Sequence, residues 1–491
     1  MKCIYNSLWQ TELYQKGEKQ MNINKIISAG MKVFKQKFEK NSKNIDFQEL
    51  TPETFLEFSN CLKNAIGSLG KKMLTDYISV FDKNEHSVLV DGKELKFKMK
   101  SEKKFLTFFG EIQLKRCLYQ HDRGGDCCIP LDEKWGMKNE YAAPDVQEAT
   151  LYSSAHMIPT EAEALFKKCS FFDPSATAIM NIVERSANII NQHEEKIYKQ
   201  IQKKEQIPAG TEVLVCSLDG ANVLLREKGK KMGKKMQRPQ KTEKDTEKKA
   251  DCYKNAMVGT ISFYMQRKEN EKHPERLETK YTARMPEDKA VTFKQQFEKQ
   301  LKNTLIKSPK EIKKLLLLDG ARNLWSYVTE NDLYDKFDRL IDFYHTTEHL
   351  SKAAEVLFGK KNEKANVWYN KYRKILLNDD KGAIKIIRSI EYYMQQKKLS
   401  ALKQESITKE LTFFRRNFDK MNYPRFLTNG WPIGSGPVEA ACKSIVKTRL
   451  CRSGMRWTRK GGQAILNLRT IIKSNRWDSF WDIYQNLKKS A

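Results

Sequence analysis

The sequence predicts a multidomain α/β protein, and three observations predict it. A chain of 491 residues is too long for one hydrophobic core, so roughly two to four domains are expected. Apolar residues make up 40% of it, enough to build real cores. The apolar pattern changes period along the chain, from helical spacing to alternation and back, so helices and strands are both present.

In chain order, Ile26, Ile27, Met31 and Phe34, then Phe55, Phe58, Leu62 and Ile66, recur at helical spacing and make residues 1–85 a helical N-terminal arm. Residues 86–140 are β-rich. Val88 and Val90 precede Asp91-Gly92, and Leu95, Phe97 and Met99 follow, which is the pattern of a hairpin. Further strands are expected at 105–109 and 111–119. Residues 141–204 return to helix. A short helix over Glu161–Cys169 leads into the turn SFFDPS, where Asp173 suits an N-cap and Pro174 the first helical position. The helix ATAIMNIVERSANII follows, giving a helix-turn-helix region. Any two packed helices share that outline, so the pair reads either as a DNA-reading element or as a plain helical linker.

From residue 205 the chain is mixed. EVLVCSL and ANVLLRE are read as two strands joined at Asp219-Gly220, AMVGTISFY as a third, KLLLL as a fourth and DRLIDF as a fifth, with a helix over 287–305. Residues 351–424 show helical spacing only, with Tyr423-Pro424 as a stop. A final helical segment starts near 437.

The charge narrows the function. Lys and Arg number 90 against 61 Asp and Glu, a net charge of +29. Such an excess calls for a polyanionic partner, foremost nucleic acid. No apolar run is long enough to span a membrane, and the first twenty residues carry charges and amides where a signal peptide needs an apolar block. The expected location is the cytoplasm, in association with the nucleoid. The ten cysteines are expected as reduced thiols there.

Two acids stand out. Asp219 and Asp319 are each the first polar residue after an apolar run, and Gly follows each. Acids at the ends of neighbouring strands are held rigidly yet open to solvent, and their oxygens suit magnesium. Each also has a plain reading: Asp219-Gly220 as a hairpin turn and Asp319-Gly320 as a helix cap. Glu439 is the third acid, in GWPIGSGPVEAACKSIVK. Pro437 suits the first helical turn and puts Glu439 at the third helical position. There it either completes a cap or points at the two Asp residues, and composition does not decide between these.

The segments SLDGANVLL, LLLLDGARNLW, DFYHTTEHL and GSGPVEAACKSIVKTRLCRSGMRW together resemble insertion-sequence transposases of the ISKra type, over roughly residues 100 to 480. The resemblance implies a ribonuclease-H-like catalytic domain, over 205–350 and 425–491, with a helical insertion at 351–424. The β-rich segment and the helix-turn-helix DNA-binding region precede it. It implies a DDE triad of Asp219, Asp319 and Glu439 holding two divalent ions, Mg2+ or Mn2+, that cuts and joins DNA at element ends. The implied partners are double-stranded DNA, both element ends and target, bound by a homo-oligomer, with no membrane involved. Asp342 and His345 resemble the Asp-x-x-His signature of related transposase groups, which gives them a supporting or DNA-contacting role. His349 lies one turn further on.

Two basic segments join this picture. Lys230, Lys231, Lys234, Lys235 and Arg238 form a run after the second strand that is either a solvated loop or a phosphate clamp. Lys443 and Lys447 share a helical face with Glu439, and Arg449, Arg452, Arg456 and Arg459 follow around Trp457. Cys117, His121, Cys127 and Cys128 lack a clean CxxC, so buried thiols weigh more than a zinc site. Two rival functions are a nuclease that only hydrolyses and a non-catalytic DNA-binding protein derived from a transposase. The intact acids and unbroken segments argue against the second.

Overall fold

In the computed structural model the described residues are 23–43, 45–46, 48–90, 92–121, 124–125, 127–226, 253–265, 267, 271 and 273–488. They divide into two units, Met1–Gln192 with Trp481–Ala491, and His193–Phe480.

In the first unit the helical spacing becomes α1 (Ile23–Ser42) and α2 (Pro52–Ser79). Thr51 and Thr54 form a reciprocal capping box that starts α2. The alternating residues become an antiparallel sheet in the order β1 (Ser87–Val90), β2 (Lys93–Thr107), β3 (Gly110–Gln120) and β4 (Cys127–Cys128). The expected antiparallel pair forms, with Val90 opposite Lys93 and Gly92 at φ 77°; Asp91 lies outside the described residues. The strand expected at 105–109 is instead the far end of one long β2, which pairs with β3 from Lys96 to Thr107. Ile78, Phe105, Ile112, Leu114, Leu131 and Met137 form its core.

Helices α3 (Pro130–Lys134), α4 (Pro144–His156), α5 (Pro159–Cys169) and α6 (Ala176–Gln192) complete this unit. Ser175 caps α6, not Asp173: its hydroxyl accepts from Ala178 N–H at 3.2 Å. Residues 170–175 between α5 and α6 exceed the turn of about three to four residues usual in a helix-turn-helix. The only charged side chains on α6 are Glu184 and Arg185, and Arg185 donates to the carbonyl of Asn139 at 2.6 Å.

The second unit opens with α7 (Glu194–Lys204) and builds a five-stranded sheet in the order β7 (Arg276–Arg284), β6 (Tyr253–Tyr264), β5 (Val213–Leu224), β8 (Lys313–Leu318) and β9 (Asp338–Ile341). The first three strands are antiparallel; β5, β8 and β9 run parallel. VLVCSL and LLLL carry no polar face because they lie at the centre, covered on both sides. One expectation fails here. The two expected strands are one continuous strand, Val213–Leu224, with Asp219 paired to Val258 and Gly220 to Met257. A neighbour that accepts every residue of the run removes the reason to turn. The strand β7 had no forecast, since its apolar residues are interrupted by Lys, Glu and Arg. The expected fourth and fifth strands are β8 and β9.

Helix α8 (Val291–Lys307) lays Phe293, Phe297 and Leu301 on the sheet, and α9 (Arg322–Thr329) follows β8. Helices α10 (Phe343–Phe358), α11 (Glu363–Asn378), α12 (Gly382–Gln396), α13 (Ala401–Asn417) and α14 (Tyr423–Thr428) form the helical block. It is not a separate globule: Leu350, Trp368, Ile386, Leu411 and Phe414 belong to the same core as Leu315 and Leu340. The chain then runs through α15 (Gly436–Ala441), a π-helical turn (Cys442–Lys447), α16 (Thr448–Leu450), α17 (Arg459–Lys473) and α18 (Trp477–Lys488). No helix among the described residues is long and apolar enough to cross a membrane.

Candidate active site

The sheet brings Asp219 and Asp319 together. Parallel pairing between β5 and β8 ends at Cys216–Leu316, so both acids lie just beyond it at the same end of two central strands. Asp219 is thus inside a strand by its β6 pairing and at the sheet's rim by its β8 pairing. One of its oxygens accepts from Gly220 N–H at 2.6 Å and the other from the Cys442 thiol at 3.3 Å. Asp319 accepts from Ala321 N–H at 2.9 Å, and its carbonyl accepts from the Trp325 indole at 2.7 Å. Burial holds the Asp319 carboxyl above the ordinary range. The Ala321 bond opposes that, the negative charge of Asp219 adds to it, and His345 works against it.

Gly320 is there because space is short. A Cβ on it would lie 2.3 Å from the Phe413 ring, so α13 presses directly on the loop behind Asp319. Arg416 of the same helix donates to the Gly320 carbonyl at 2.8 Å.

Glu439 reaches this place through the turn before α15. Ser435 is the cap, so Glu439 is the fourth helical residue, one later than the sequence suggested, and the Ser435 hydroxyl donates to its carboxylate at 3.3 Å. The helix carries Cys442 onto Asp219, and the charges of both Asp219 and Glu439 help burial to push the Cys442 thiol up. Cys442 is thus bonded to Asp219 and lies within reach of the Glu439 charge. The donors these acids offer are all carboxylate oxygens, the set a hard divalent cation takes. Among the described residues no three His, Cys, Asp or Glu side chains already stand as a group able to hold a metal ion.

Asp342 is fully buried and works as a clamp. It caps α10 by accepting from His345 N–H at 2.6 Å, and it also accepts the backbone N–H of Ser435. His345 and His349 face each other, Nε2 to Nε2 at 3.3 Å. His349 Nδ1 bonds Glu410 at 2.6 Å, and its ring stacks on Phe413 at 3.7 Å. Sequence reading had no means to find Glu410, which sits in the helical block. Cys442 was visible one helical turn from Glu439 but carried no signal of its own.

Among the basic residues, Lys443, Lys447 and Arg456 are exposed and Arg452 is half-buried. The π-helical turn widens the spacing, so Lys443 and Lys447 do not simply continue the Glu439 face. Lys447 is the one whose charge acts on Cys442 and Cys451. Arg449 is buried, with its guanidinium 5.1 Å from the Trp457 ring, which removes it from the solvent-facing set. Lys230, Lys231, Lys234, Lys235 and Arg238 lie outside the described residues. In the first unit Cys117 and Cys128 are buried with Leu95 and Tyr119, and the Cys117 thiol is pushed up to about 11 by burial and Asp82. Cys127 is exposed. No family model matches the chain, and no curated protein matches it.

Proposed function

We propose that the chain is a DDE transposase of the insertion-sequence group its segments resemble, cutting and joining DNA with Asp219, Asp319 and Glu439. One observation carries this reading. Two acids sit side by side at one end of two central parallel strands, and the charge of one raises the carboxyl of the other. Two carboxylates whose charges act on each other are suited to share a divalent ion. The order of the sheet, three antiparallel strands continued by two parallel ones, supports a ribonuclease-H-like catalytic domain.

In this proposal the three carboxylates would hold two divalent ions, Mg2+ or Mn2+, which when bound would supply charge stabilisation to a reacting phosphodiester. The protein's own part is positioning. Gly220 and Cys442 fix Asp219, Ala321 fixes Asp319, and Ser435 fixes Glu439. Water adds to phosphorus at the element end and a 3′-hydroxyl leaves. That hydroxyl then attacks a target phosphodiester, forming the new joint and releasing a target 3′-hydroxyl. The net charge of +29 and the exposed Lys443, Lys447 and Arg456 serve the polyanionic substrate. DNA reading by the α5–α6 pair, aided by exposed Lys167 and Lys168, and assembly as a homo-oligomer on DNA, belong to the same proposal.

The test is direct. The protein is incubated with Mg2+ and DNA carrying the ends of its own flanking element, and strands are resolved by size. Cut and joined products are expected. Cutting without joining would make it a nuclease, and binding without either would make it a DNA-binding derivative.

A further inference from the structure

A cavity of about 640 Å³ opens on the α8 side of the sheet, on the elements that carry the two Asp residues but on the face opposite to the one where Asp219 meets Cys442. Leu218, the residue before Asp219, lines it, and so does Leu324 in the first turn of the helix after Asp319. Its size falls within the range of about 300–1,000 Å³ usual for ligand pockets. The walls are of two kinds. Met257 and Phe293 give it an apolar floor, while Lys289, Lys294 and Arg459 give it a basic side.

Three details set this cavity apart from an ordinary surface cleft. Lys289 and Ala290 are both held in left-handed backbone, φ 49° and 53°, a conformation that costs a non-glycine residue free energy and that tends to occur at functional sites. The lysine ammonium of Lys294 lies 4.7 Å from the Tyr327 ring centroid, so a cation and an aromatic face are presented together. Of the two acids at the rim, Glu287 is engaged, accepting from Phe293 N–H at 2.7 Å to start α8; Asp288 is exposed. Lys254, Lys289, Lys294 and Arg459 outnumber the two acids of the lining, and Arg459 also donates to the Pro286 carbonyl.

We propose that this cavity takes one unpaired nucleotide of a DNA strand, with its base on the apolar floor and its phosphate against Lys289 and Lys294. The inference rests on the reading of the acids as a strand-cutting site. An apolar floor accepts any base by its flat face, and a basic side holds the phosphate, which is the combination that single-strand binding needs. Amide side chains at the mouth, Asn255 and Asn323, are suited to the base edge. A base can enter only when it leaves the stack, so the cavity would favour distorted or single-stranded DNA.

The experiment uses the full chain and three probes: a short single strand carrying 2-aminopurine, the duplex of the same sequence, and the mononucleotide dTMP. Two variants address different walls. Asn255→Trp places a large ring at the exposed mouth, and Lys289→Asn with Lys294→Gln removes charge while Asn tolerates left-handed backbone. Both should weaken single-strand binding roughly tenfold, lose the 2-aminopurine signal and leave duplex affinity within about twofold. Retained single-strand affinity in either variant, or an equal loss for the duplex, overturns the proposal. Binding of dTMP as tight as that of the strand also overturns it, in favour of a free-nucleotide pocket. Asp219→Asn is run in parallel. If it cuts normally, the reading of the acids fails whatever the cavity does; if it fails to cut while the cavity variants bind normally, only the cavity assignment falls.

Discussion

The buried carboxylate of Asp342 accepts the backbone N–H of Ser435, a residue 93 positions further along the chain. The same carboxylate caps α10, so one side chain ties the start of the helical block to the turn that leads out of it. That turn delivers Glu439. Gly434 makes the approach possible, since a Cβ on it would lie 2.7 Å from the Tyr344 ring. The whole helical block can therefore come between Asp342 and Ser435 in sequence without separating them in space.

Replacing Asp342 by Asn tests this clamp. The amide keeps one oxygen for one N–H but turns an NH2 group toward the other, so a donor faces a donor in a dry site. A loss of about 1–3 kcal/mol in stability is expected, together with a loss of activity beyond what that stability accounts for. Urea unfolding and strand cleavage on one preparation measure both. Unchanged cleavage would show that Ser435 holds its place without Asp342.

Thiol labelling reports how tightly the site is closed. Burial raises the thiols of Cys216 and Cys442, with Asp219 adding to the effect at Cys442. The thiolate is the reactive form, so both should resist iodoacetamide at mildly alkaline pH. The exposed Cys127 and Cys169 should be modified first. Mass spectrometry of timed samples gives the order, and early labelling of Cys442 would contradict the closed contact with Asp219.

Lys443 and Lys447 are expected to meet phosphate. Changing both to Ala should weaken binding to any DNA sequence and reduce the slope of log affinity against log salt by about two. An unchanged salt slope in the double variant would remove both from the DNA interface.

How far the sequence alone was legible follows from what each feature depends on. Long apolar runs declared β5 and β8, because burial on both faces leaves a one-dimensional trace. The two Asp residues that end those runs were visible for the same reason. Partners at long range were not. The continuity of β5 through Asp219-Gly220 depends on β6, whose pairing is set more than thirty residues away, so a local hairpin signal misled. β7 alternates Lys and Glu with apolar residues and left no clear run. The bonds from Cys442 to Asp219 and from His349 to Glu410 join segments with no local relation, and no periodicity announces them. Arg449 was legible as a charge but not as a buried one, since its partner Trp457 folds back over it.

The acids themselves give the most demanding prediction, because metal binding and stability pull in opposite directions. The Asp319 carboxyl is raised in the folded chain, chiefly by burial and then by Asp219. Folding therefore disfavours its ionised form. The folded chain binds that proton more tightly than the unfolded one, so the contribution of Asp319 to stability declines as pH rises through the raised value and is smaller at neutral pH than in acid. Asp319→Asn removes that charge while keeping an oxygen for the Ala321 N–H. Without metal at neutral pH the variant should be more stable than the parent, and the difference should shrink as the solution is acidified. With Mg2+ the order should reverse, because an ion that binds only the folded parent stabilises it by mass action. Asp219→Asn and Glu439→Gln should likewise lose the Mg2+ response. All three should bind DNA and lose cutting and joining by orders of magnitude, since the amide lacks the charge that a hard cation needs. Thermal melts with and without Mg2+, DNA binding and strand cleavage are read on the same preparations. Normal cleavage by Glu439→Gln would take that residue out of the site. Normal cleavage by Asp219→Asn or Asp319→Asn, or a parent chain that Mg2+ does not stabilise, would overturn the assignment of these carboxylates to metal.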